Sequence, residues 1–106
     1  MAGDGQLTAL AAWLVERTAG APAALRQRVR EHVAAVEPTD SAPADLARAA
    51  HLSLAGVVDA PGDRSVALDL LAADGLITLA LLRQAEERPM ALAEFARSLT
   101  DVAASE

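Results

Sequence analysis

The sequence predicts an all-α protein: a compact bundle of about five helices with a long central apolar helix at about residues 64–87. Three observations carry that prediction. Hydrophobic residues make up 53% of the chain but aromatics only 2%, so Ala and Leu supply most of the apolar surface. Both are strong helix formers, whereas the β-branched and aromatic residues that favour strands are scarce. Apolar residues recur at spacings of three and four, and Pro and Gly fall between the periodic stretches. At 106 residues the chain is read as a single helical domain, with frayed ends at 1–5 and 104–106.

The first helix is expected at about 5–19, from Leu7, Leu10, Ala11, Leu14, Val15 and Thr18. Gly20 suits a left-handed C′ position and Pro22 the first turn of the next helix. That second helix is expected at about 22–36, with a narrow stripe of Leu25, Val29, Val33 and Val36. Pro38 ends it by pushing Glu37 away from helical geometry.

Ser41 is placed to cap a third helix at about 42–58, with Pro43 tolerated in its first turn. Its apolar face holds Leu46, Ala50, Ser53, Leu54 and Val57, and Ser53 is expected to bond back to a carbonyl one turn earlier. DAPGD at 59–63 breaks the chain, and Asp63 or Ser65 can cap the fourth helix. The fifth starts at Pro89 and carries Leu92, Phe95, Ala96, Leu99 and Val102.

The fourth helix is apolar on every side, and such a helix is buried all round or spans a membrane. Val66, Leu70, Ile77 and Leu81 lie within about 60° of each other, with Leu68 and Leu79 nearly opposite, Leu71 and Leu82 on a third side and Leu76 on a fourth. A membrane span is not expected. Asp69 and Asp74 lie within it, each costing about 2.5–3.5 kcal/mol at a bilayer centre. Four short alanine-rich helices have little apolar area with which to wrap it. A homodimer is therefore expected, with Trp13, Gly75, Leu79 and Leu82 as interface residues. The alternative for Trp13 is a half-exposed cover at the edge of the core.

The net charge of −6 argues against nucleic-acid binding, and all nine basic residues are Arg. Without Cys there are no disulfides, thiolate metal sites or cysteine nucleophiles. The N-terminus has no basic segment of the signal-peptide kind, which makes a cytoplasmic protein the expectation. Asp69 and Asp74 are five residues apart and point about 140° apart, so they cannot chelate one metal from one face. Asp69 is read as an acidic residue near the helix start, at its wettest edge. Asp74 sits among Ile77, Thr78 and Leu81, and needs a partner if buried. Gly75 is read as tolerated, as the site of a kink, or as allowing close approach of another backbone. Arg26, Arg28 and Arg30 are expected to solvate their helix and pair with the acidic C-terminal half.

The function expected is binding without catalysis: self-association, docking onto a protein partner, or both, with no cofactor or metal. The alternative is a ligand-binding protein or enzyme with an apolar pocket between helices, using Asp74, His51 and His32 as its polar groups.

Overall fold

Ser41 shows how local chemistry sets the architecture. Its hydroxyl accepts the Ala44 amide at 3.2 Å, the geometry of an N-cap. In the computed structural model, which describes the backbone of residues 2–58, 62 and 64–105 and the side chains of 9–57, 62 and 64–100, a helix starts at the next residue. The helices are α1 (Ala2–Arg17), α2 (Ala23–Ala34), α3 (Ala42–Val58), α4 (Arg64–Glu87) and α5 (Leu92–Ser105). A single 3-10 turn, Pro89–Ala91, leads into α5. No strand occurs among the described residues. The radius of gyration of 13.6 Å is close to the roughly 13 Å of a compact domain this size.

Boundaries follow the expected punctuation with small shifts. The backbone is helical from Ala2, ahead of the expected start, and α5 continues to Ser105. Gly20 does not use left-handed geometry, since no described glycine has positive φ. Instead the chain turns through the Thr18 carbonyl, which accepts the Ala21 amide at 3.0 Å, while the Thr18 hydroxyl donates to the Leu14 carbonyl at 2.6 Å. The DAPGD break and the proposed cap Asp63 lie largely outside the described residues.

The segment between α2 and α3 is tied down by Asp45, which is 4% exposed. Its carboxylate accepts the Thr39 amide at 3.0 Å and the Thr39 hydroxyl at 2.7 Å, and pairs with Arg48. Arg48 also donates to the Glu37 carbonyl at 2.6 Å. A polar linker with little apolar content is thereby fixed by charge-assisted bonds.

The core lies chiefly between α3 and α4, the most extensive helix pair. Leu46, Ala49, Ala50, Ala72, Leu76 and Ala80 are at 0% exposure, joined by Leu10, Leu14, Val29 and Leu79. Alanines on both helices allow close backbone approach, and leucines fill the gaps. This choice of partner selects the inner face of α4 among its several apolar sides. The buried residues are Ala72, Ala73, Leu76, Leu79, Ala80 and Gln84, whereas Leu70 is 46% exposed. The small residues won the inner face because they fit α3, and leucines were left outside. In α3 likewise, Leu54 faces solvent at 40% exposure while Ala47 and Ala49 are buried.

Gly75 does not kink the helix and receives no neighbour from within the chain. The helix is unbroken from Arg64 to Glu87, and a Cβ added at Gly75 would meet nothing within 4 Å. Gly75 instead opens onto a groove of about 330 Å³ beside the α1–α2 turn, lined also by Leu25, Leu71 and Leu79. Gly75→Ala is therefore expected to stabilise the chain by about 0.5–1 kcal/mol through helix propensity. Thermal unfolding followed by circular dichroism checks this, and a lowered midpoint would show that the open space is used.

Candidate functional site

The three polar residues expected to share a pocket do not meet. Asp74 is exposed on the outer face of α4, and its carbonyl accepts the Thr78 hydroxyl at 3.1 Å. Asp74 therefore needs no buried partner, because α4 turns its alanine face, not its Asp74 face, toward α3. His51 lies between α3 and the end of α2, beside Val36, Glu37, Arg48 and Leu52. Its Nε2 is buried and has no hydrogen-bond partner among the described residues. His32 is elsewhere, facing Asp69.

Around Asp69 stands a cluster that sequence reading missed. Arg28 Nη1 donates to Asp69 Oδ1 at 2.8 Å, and His32 Nε2 stands 3.1 Å from the same oxygen. The Ser53 hydroxyl donates to the Asp69 backbone carbonyl at 2.9 Å and lies 3.2 Å from His32 Nε2. Residues from α2, α3 and α4 thus meet at one point. Asp69 is not the wet edge of its helix, Ser53 bonds across helices instead of back along its own, and Arg28 does not reach the C-terminal half. The signal available was the i, i+4 spacing of Arg28 and His32, which puts both on one face of α2.

Ser, His and Asp together invite comparison with a hydrolytic triad, and the geometry excludes it. A triad uses the two imidazole nitrogens separately, one toward the carboxylate and one toward the hydroxyl. Here the same nitrogen faces both groups. Ser53 is also only 2% exposed, so no substrate carbonyl can reach its oxygen. Among the described residues no three His, Asp or Glu side chains converge as a metal site would require. The cluster is built to join helices.

Trp13 occupies a second polar assembly. Its indole Nε1 donates to Glu86 Oε1 at 2.8 Å, and Arg17 Nη2 donates to Glu86 Oε2 at 2.8 Å. The Arg17 and Arg83 guanidinium carbons lie 5.7 and 5.2 Å from the indole centroid, within reach of cation–π attraction. Trp13 therefore closes α1 onto the C-terminal half of α4 as a half-buried edge of the core, the alternative expected for it.

The Trp13 hydrogen bond lowers the Glu86 pKa below the usual carboxylate value, and the Arg17 and Arg83 charges add to this against the opposing effect of burial. A carboxylate depressed on folding stabilises the fold above its unfolded pKa, and that contribution is lost as pH falls through the folded one. Acidification through and below the ordinary glutamate range should therefore loosen α1, read as a shift in Trp13 fluorescence. Glu86→Gln should flatten that shift.

What remains is the outer face of α4. Leu70, Leu71 and Leu82 are 46%, 56% and 39% exposed. Of the proposed interface residues, Leu82 lies on this surface and Gly75 on the adjoining groove, whereas Leu79 is in the core at 8% exposure. The core side of α4 needed Leu79 to fill space between alanines. By length and composition α4 could cross a membrane, yet only 22% of its most apolar 18-residue stretch is buried in the chain. A search of protein families, characterised proteins and solved structures finds no match to this chain.

Proposed function

We propose that this is a small cytoplasmic helical-bundle protein that works by binding, without catalysis of its own, and that it binds a second copy of itself through the outer face of α4. The observation that carries the reading is the exposure of Leu70, Leu71 and Leu82 on one long helix whose most apolar stretch is only 22% buried. Isolated exposed leucines are ordinary, but three on the two flanks of one helix face make a surface that gains by being covered.

The pocket reading lacks comparable support, because Asp74, His51 and His32 lie at separate places on the fold. The test is mass by light scattering across a range of concentrations. The wild-type chain should form a dimer. Leu71→Arg and Leu82→Arg should each give a monomer with unchanged helix content, since both positions are exposed. A wild-type chain that stays monomeric at every concentration would sink the reading. So would arginine variants that dimerise as the parent does.

A further inference from the structure

Resting on that reading, we infer that the second copy docks antiparallel, about a two-fold axis level with Leu76, so that Asp74 of each copy meets Thr78 of the other. The inference comes from the order of residues on the outer face. At about 100° per residue, Leu71 and Leu82 lie within about 20° of each other on one flank of that face. Leu70 and the half-buried Leu81 lie similarly close on the opposite flank. Asp74 and Thr78 run along the centre, with Ala67 and Ala85 beyond them at either end.

A two-fold axis between antiparallel helices places each residue opposite one on the same flank, reflected through the axis level. The pairs Leu71–Leu82, Leu70–Leu81, Asp74–Thr78 and Ala67–Ala85 all have midpoints within one residue of Leu76. The face is therefore complementary to itself in one register: leucine meets leucine, alanine meets alanine, and the central carboxylate meets a hydroxyl. The Thr78 hydroxyl, which now donates to the Asp74 carbonyl of its own helix, can turn to donate to the Asp74 carboxylate of the second copy. A parallel pairing, or a two-fold level with Asp74, would set carboxylate against carboxylate in a chain already at −6. The self-matching order of residues thus selects a second copy as the occupant, and avoidance of like charge selects its orientation. It also gives an exposed aspartate on an apolar face a use, which is to fix register rather than add affinity.

The chain has no cysteine, so engineered ones report cleanly. Leu71→Cys and Leu82→Cys variants would be mixed in equal amounts and oxidised at a concentration where light scattering shows dimer. The mixture should give at least tenfold more disulfide-linked dimer than either variant alone. Like positions would stand about 16 Å apart in this register, from 1.5 Å of rise per residue, beyond the roughly 7 Å a disulfide spans. Thr78→Asp should raise the dimer dissociation constant at least tenfold, and exchanging the two residues in Asp74→Thr/Thr78→Asp should restore it.

Leu71→Cys cross-linking efficiently to itself would show a parallel pair, and an unchanged dissociation constant for Thr78→Asp would show that Asp74 and Thr78 do not meet. Either result overturns this register while self-association stands. A chain that is monomeric throughout removes self-association and the register together. So does a monomer that instead co-floats with phosphatidylcholine–phosphatidylglycerol vesicles, since a membrane would then cover the face.

Discussion

Leu76→Ala is expected to lower the stability of the fold by about 2–5 kcal/mol, the range for truncating a buried leucine. Small domains have only about 5–15 kcal/mol in total, so this one change removes a large part of it. Leu76 is at 0% exposure, in a core whose other fully buried residues include Ala49, Ala50, Ala72 and Ala80. Alanines have no side-chain rotamers with which to fill a void, so the site relaxes poorly and the cost should fall in the upper half of the range. At about 4 °C or more per kcal/mol for a domain this size, the melting midpoint should drop by well over 8 °C. Urea unfolding followed by circular dichroism measures the loss directly. Leu71→Ala, at a position 56% exposed, is the control and should stay within about 0.5 kcal/mol under conditions where the chain is monomeric. A Leu76→Ala cost below about 1 kcal/mol would mean that the α3–α4 contact is not the core.

How legible these elements were depends on the kind of signal each carried. Helix existence follows from spacing, capping residues and proline breaks, all local, and α3 and α4 fall where Ser41 and the Pro-Gly break predict. The stripe of α2 was legible too, because Leu25, Val29 and Val33 are its only apolar side chains apart from alanine, and Val36, just past its end at Ala34, packs on the same core. In α4 that contrast is missing. With leucines on every side, hydrophobicity cannot rank the faces, and the decision passes to fit. Alanines at 72, 73 and 80 match alanines at 49 and 50, a complementarity between segments twenty and more residues apart that no single-segment pattern contains.

The same limit explains the polar residues. Asp69 and Asp74 look alike in sequence, each an acid among leucines. Their fates differ because a rotation of about 140° puts one toward Arg28 and His32 and the other toward solvent. Trp13 is legible in sequence as an interface residue or an edge cover, but its partner Glu86 is 73 positions away. Only the closed bundle brings them together.

Asp69→Ala is the second change expected to have a large effect, at about 1–3 kcal/mol. The range lies between two limits. Exposed ion pairs contribute about 0–1 kcal/mol, whereas removing one partner of a fully buried pair costs about 3–5 kcal/mol because the other charge is left uncompensated. Asp69 and His32 side chains are each 20% exposed and Arg28 is 27% exposed, so solvent screens the pair in part. Truncation would leave the Arg28 guanidinium without its 2.8 Å acceptor and His32 facing only the Ser53 hydroxyl at 3.2 Å. The Ser53 bond to the Asp69 backbone carbonyl would survive, which holds the cost below the buried limit.

A double-mutant cycle separates the pair from the packing. If Arg28 and Asp69 act together, Arg28→Ala and Asp69→Ala should combine to less than the sum of their separate costs, by at least about 0.5 kcal/mol. Asp69→Asn, which keeps the volume and an acceptor oxygen, should cost less than Asp69→Ala. Arg30→Ala supplies the reference, since Arg30 is exposed on the same helix as Arg28. An Asp69→Ala cost no larger than that of Arg30→Ala would mean that water already satisfies these groups, and that the junction of α2, α3 and α4 is held by its apolar side chains.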